Sequence, residues 1–217
     1  MGPRQRFSGG HPLSDFEFFF SFYGLLLGLS VAELTGGFAR LLHERHRVRF
    51  GWLTPLLALF VAIDLATFWN QAWRFFRDAP FNPALLLVGL VIAATFYVAA
   101  SVTFPRVTAE GVETRIDLDE HFWAHRRVVF GCVLAANAMV WILLGLLALA
   151  DPAWAAFWTP RIIFGVILFA AGNLAAAFAP QRWLVIGSLV VVLAYTLWNM
   201  MRAGAQLIAS GTWSPAV

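Results

Sequence analysis

Glu33 and Asp64 each interrupt a long, otherwise almost uncharged run of apolar residues. A carboxylate at the centre of a membrane helix costs about 2.5–3.5 kcal/mol, so it is kept for a partner or for chemistry. The chemistry open to it is binding a cation or passing a proton. Glu33 lies nine residues before Leu42, and Asp64 nine residues after Pro55. At a rise of about 1.5 Å per residue, both fall about 14 Å from the same end of two neighbouring antiparallel helices. Asn137 reaches a similar depth in a later run. These three are the candidate ion-binding or relay residues. If the two acids share a site, their like charges prevent both from ionising and leave one proton between them. A plainer reading stands beside this one. Glu33 would bond Arg40 or a backbone carbonyl, Asp64 would bond Asn137, and each bond would hold helices together by about 0.6 kcal/mol.

Other polar residues recur at helical spacing. Asp64, Thr67, Gln71 and Arg74 form one stripe, and Ser188, Tyr195, Asn199, Arg202 and Gln206 another. Arg40, Asn70, Asn173 and Asn199 are the candidate lining of routes to the two surfaces. A second constellation consists of His43 with His46 and His121 with His125. Spacings of three and four point two imidazoles the same way on a helix, as a metal site needs. With Glu44, Asp117, Asp119 and Glu120 nearby, the four histidines are candidate ligands of a metal ion. The alternative is a set of solvated helix ends. No other cofactor is expected. All 15 basic residues are Arg, which excludes a lysine Schiff base. There is no phosphate-cradling glycine loop, nucleophile elbow or CxxC pair, and Cys132 is the only cysteine.

The elements that position these residues follow from composition. Of 217 residues 60% are hydrophobic and 12% charged, against roughly 25% charged in soluble domains. A span needs roughly 20 apolar residues, and six such stretches use the whole length. The expectation is an all-α polytopic transmembrane bundle in one domain, 1–217, with spans at about 15–42, 55–77, 83–104, 127–150, 160–179 and 183–208. Ser14 with Glu17 forms a capping box. Thr54-Pro55, Asn82-Pro83 and Thr159-Pro160 are cap-and-proline helix starts. Asp117 and Glu120 cap a helix leading into the fourth span, and Asp151-Pro152 opens a short interfacial piece. The first run is too long for a cleaved leader and is read as a retained span.

Loop charge sets orientation. The connections 1–2, 3–4 and 5–6 carry nine arginines against six on the other side. That places the richer side in the cytoplasm and both termini outside, in an inner membrane, although Arg4 and Arg6 pull the other way. The net charge of +3 is thus a topology signal, not a nucleic-acid footprint. Thr54 and Thr159, and Glu33 and Asn137, recur at nearly one spacing, as a 3+3 inverted repeat would. Gly24 and Gly28 form a small-xxx-small face suited to a helix contact between copies.

The segments F-Y-G-L-L-L-G-L-S-V-A-E-L at 22–34 and D-E-H-F-W-A-H-R-R-V-V-F-G at 119–131 resemble small bacterial six-span integral membrane proteins. The resemblance implies the architecture and brings no activity. The residues themselves lead to a small channel or secondary transporter for protons or cations, working as a homo-oligomer. The alternatives are an accessory subunit of a larger membrane complex and a metal-dependent membrane enzyme.

Overall fold

The computed structural model describes residues 15–76, 83–105 and 115–210. Six helices are long and apolar enough to cross a membrane. They are α1 (Asp15–His43), α2 (Leu53–Phe76), α3 (Pro83–Thr103), α4 (Leu118–Ala150), α6 (Pro160–Phe178) and α7 (Arg182–Ala209), with a four-residue α5 (Pro152–Ala155) between α4 and α6. The protein is therefore an all-α, multi-pass membrane bundle. Ser14, Asn82 and the acidic residues Glu110 and Glu113 lie outside the described residues, as do Arg4, Arg6, Arg77 and Arg106.

Three helix starts behave as their residues dictate. The Thr159 hydroxyl accepts from the Ile162 amide with Pro160 at the first helical position. Asp151 accepts from the Ala153 amide at 2.9 Å and opens α5. Asp117 accepts from the amides of Asp119 and Glu120, so α4 begins at Leu118, nine residues before the expected span. Its 33 residues extend about 50 Å, well beyond a hydrocarbon core of about 30 Å. Thr54 departs from expectation. The helix already begins at Leu53, and the buried Thr54 hydroxyl donates to the Leu118 carbonyl at 2.6 Å. The orphan amide of Leu53 is met by the Asp119 carboxylate at 3.4 Å.

These bonds belong to a collar at the arginine-rich end. Strands β1 (Val48–Arg49) and β2 (Ile116–Asp117) pair in parallel, and Arg49 reaches Asp117 at 3.4 Å. Asp119 holds Arg182 at 2.7 Å, and its carboxylate sits where any side chain on Gly51 would stand. The buried Arg126 donates to the carbonyls of Ala176 at 3.0 Å and Ala179 at 2.7 Å. A guanidinium is the fitting cap there, because the C-terminus of α6 leaves carbonyls unpaired and carries partial negative charge. The collar thus gathers the ends of α1, α3 and α6 with the starts of α2, α4 and α7. The six long helices alternate in direction.

Helix α2 touches α1, α3, α4 and α7, while α1 packs chiefly on α3, α3 on α4, and α6 on α7. Helix α2 is central, and a set of buried aromatic rings fills the space beside it. Phe68 meets Phe96 edge-on at 4.5 Å, and Phe60 lies against both Phe130 and Phe169. This packing does not repeat between the two halves. A 3+3 repeat would match α1 on α3 with α4 on α7, yet α4 and α7 are not substantial neighbours, and α6 is peripheral where α2 is central. The matching Thr-Pro pairs are helix starts, which recur wherever a helix begins.

The Gly24 and Gly28 face is divided. A Cβ on Gly24 would stand 2.5 Å from the Trp69 ring, whereas nothing lies within 4 Å of one on Gly28. Gly24 therefore serves the contact of α1 with α2 inside one chain.

Candidate functional site

Asp64 and Asn137 are both buried, at 4% and 5% exposure. The Asn137 amide donates to Asp64 Oδ2 at 3.0 Å and to its own Val133 carbonyl at 3.0 Å. The first bond ties central α2 to α4 at mid-depth. No arginine or histidine forms an ion pair with Asp64 among the described residues.

A cavity of about 340 Å³ descends to this pair from the end opposite the collar. Helix α2 contributes Asp64, Thr67, Asn70, Gln71 and Arg74 along one stripe, in rising order toward the mouth. Helix α4 adds Asn137 and Trp141, α6 adds Arg161 and Phe169, and α7 adds Tyr195 and Asn199. The walls are partly positioned by close backbone approach. Gly165 leaves room for the Tyr195 ring, and Gly172 for Val192. Near the mouth the Arg161 guanidinium donates to Asn199 Oδ1, and the Tyr195 hydroxyl donates to the Arg161 carbonyl at 3.2 Å. Trp158 Nε1 donates to the Leu144 carbonyl at 3.4 Å.

Beyond Asp64, toward the collar, the bundle is shut. Leu57, Phe60, Val61, Phe130, Val133 and Leu189 are all buried there. Asn173 lies among them, one helical turn past Phe169. Its amide donates to the Phe169 carbonyl at 2.8 Å, while its buried Oδ1 has no hydrogen-bond partner among the described residues. The cavity is consequently open on one side only.

The structure brings some of the candidate residues together and separates others. Asp64, Asn137, Asn70 and Asn199 share the cavity. Glu33 does not line it; it bonds Arg40 Nη2 at 3.2 Å on the half-exposed face of α1. The seven-residue separation is two turns, about 10 Å along the axis. Arg40 therefore reaches back from the helix end to neutralise Glu33, the plainer of the two arrangements the sequence offered. Among the described residues the histidines do not assemble. His121 Nε2 lies 3.0 Å from the Val102 carbonyl, and His125 Nδ1 lies 3.0 Å from the His121 carbonyl. Their rings stack at 4.2 Å, and no three His, Cys, Asp or Glu side chains converge as a metal site. His46 lies 3.8 Å from Glu44, and His43 is exposed at the end of α1.

Sequence reasoning missed Arg161 and Trp141 as cavity residues. Arg161 reads as a loop charge because it follows a helix start, and Trp141 as one of many apolar residues. The seating of α6 against α7 brings Arg161 to the cavity, and the packing of α4 on α6 brings Trp141, whose ring meets Phe169 edge-on. No family model, curated protein or solved structure matches this chain.

Proposed function

We propose that this protein is a proton-coupled secondary carrier in a bacterial inner membrane. The one-sided cavity would be its substrate site and Asp64 its proton-exchanging group. The observation that carries the reading is the blind end of the cavity at the Asp64–Asn137 pair. A carrier exposes its central site to one side at a time, whereas a conducting channel needs a continuous path. The packed rings of Phe60, Phe130 and Phe169 interrupt any such path. Buried intramembrane acids mark ion and proton routes by default, and Asp64 is the acid that cavity water and solute can reach. Asn137 holds the carboxyl in place through a bond compatible with either protonation state. The orphaned Asn173 Oδ1 offers a further polar stop on the way to the collar end. Helices α6 and α7 pack chiefly on each other, which makes this hairpin the part able to rock against α2 and α4.

An accessory role in a membrane assembly is favoured by a different observation. The Glu33–Arg40 pair lies on a face of α1 that the chain itself leaves half open, and a neighbouring subunit would cover it. A second copy seated on this face gives the homo-oligomeric form of the same reading.

Proteoliposomes test the carrier. An imposed solute gradient should acidify or alkalinise the lumen through the wild type, and Asp64→Asn should abolish the proton movement while leaving the protein folded. Vesicles in which wild type and empty controls behave alike across a panel of solutes and imposed pH gradients would eliminate the carrier reading and leave the accessory one.

A further inference from the structure

The charge on the cavity wall is opposite to what a cation site requires. Arg74 on α2 and Arg161 on α6 both line the cavity, and among the described residues Asp64 at the floor is the only acid that does. Among the described residues neither arginine forms an ion pair with a carboxylate. Arg161 is held in place by Asn199 Oδ1, so its fork is ordered before any ligand arrives, which lowers the cost of binding. It also occupies the first turn of the 19-residue helix α6, where the helix terminus adds to the positive field. Between the arginines and the floor the α2 wall is polar, with Thr67, Asn70 and Gln71, while Trp141, Val166, Phe169 and Val192 give the other walls a mainly apolar surface. The volume, about 340 Å³, lies at the lower end of the range for small-ligand sites, roughly 300–1,000 Å³.

We infer that the cavity binds a small organic monoanion, a carboxylate with a compact apolar body. Its carboxylate engages Arg74 and Arg161 near the mouth, and its body enters between Trp141, Phe169 and Val192 above Asp64. Guanidinium forks match carboxylate oxygens two at a time, and the paired positive charge repels inorganic cations from the entrance. The inference rests on the carrier reading only for making this ligand the cargo. In that case one anion and one proton on Asp64 cross together with no net charge, which avoids moving a bare charge through the bundle.

Binding is tested without transport. The detergent-purified full-length chain is titrated with benzoate and hexanoate while thermal unfolding is followed, with benzamide, benzylamine and inorganic phosphate as comparators. Both carboxylates should stabilise the protein saturably, and the three comparators should not. Arg74→Gln should weaken binding roughly tenfold, the loss of one charged hydrogen-bonding partner. Because Arg74 makes no ion pair within the described chain, this variant keeps the fold even if Arg161→Gln, which breaks the bond to Asn199, does not. Benzamide binding as well as benzoate, undiminished benzoate binding by Arg74→Gln, or no saturable binding of either carboxylate overturns the inference. A lipid headgroup is the competing source of an anion. If phosphatidylglycerol in mixed micelles stabilises the protein and removes the benzoate response, the arginines serve lipid and the inference fails. Benzoate binding without any flux in proteoliposomes would sink the carrier while leaving the site intact. Proton-coupled flux of another solute without benzoate binding would do the reverse.

Discussion

Asp64 and Glu33 carry the same functional group at similar depth, yet their surroundings give them different work. Glu33 has a guanidinium 3.2 Å away on a half-exposed face, and Asp64 has one carboxamide in a buried contact. Opposite responses to neutral substitution follow. Glu33→Gln removes an acid whose partner can extend its long side chain to the nearby interface, so melting temperature and ligand binding should change little. Asn137→Leu should instead destabilise the protein, because Asp64 loses its one side-chain hydrogen-bond partner among the described residues while still buried. A double-mutant cycle on Asp64→Leu and Asn137→Leu measures the bond itself. Interhelical hydrogen bonds in membranes average about 0.6 kcal/mol and reach about 1.7, and a coupling in the upper part of that range is expected for this buried pair. A coupling of zero would show that the two side chains are merely adjacent.

The helices are assembled differently at their two ends. The collar end is cross-braced by Arg126, Asp119, Thr54 and the β1–β2 bridge, whereas at the cavity end Arg161 bonds Asn199 and Trp158 bonds the Leu144 carbonyl. Arg126 carries the seam between α4 and α6, donating two bonds to carbonyls and stacking over Trp123 at 4.1 Å. Arg126→Met keeps much of the apolar bulk but leaves buried carbonyls at the end of α6 unpaired. It should cost about 2–3 kcal/mol, the scale for bonds to a charged donor, read as a drop in thermal stability in detergent. Arg182→Gln cuts the tie between Asp119 and the start of α7. If the hairpin α6–α7 moves, this change should raise the reactivity of a cysteine placed at Leu189, which is buried beyond Asp64 on the collar side. Unchanged reactivity would argue that the collar braces the fold and gates nothing.

For the whole molecule the arginine count predicts the collar in the cytoplasm and the cavity mouth outside. In a Cys132→Ala background, a membrane-impermeant thiol reagent should label Ala156→Cys in intact cells and label His46→Cys only after lysis. Both positions are exposed and lie at opposite ends of the bundle. The reverse pattern would make the cavity cytoplasmic and turn uptake into export, with the same residues in the same roles.

Span number and helix alternation were legible in the chain itself. They depend on local quantities: apolar length against bilayer thickness, capping residues, and a fixed rise per residue. The stripe Asp64, Thr67, Gln71 and Arg74 could be drawn for the same reason, since a helix sets its own faces. Three things needed the tertiary structure. Glu33 and Asp64 were expected at one depth, but depth says nothing of azimuth, and Glu33 bonds Arg40 and does not line the cavity that Asp64 floors. Thr54 looked like a cap until the start of α4 offered its hydroxyl a buried carbonyl. Arg161 became a cavity wall because α6 and α7 close on each other through Gly165 and Gly172, and Trp141 because α4 packs its ring against Phe169 of α6. A sequence specifies what each helix presents along its length, while which faces meet is decided by the joint packing of all six.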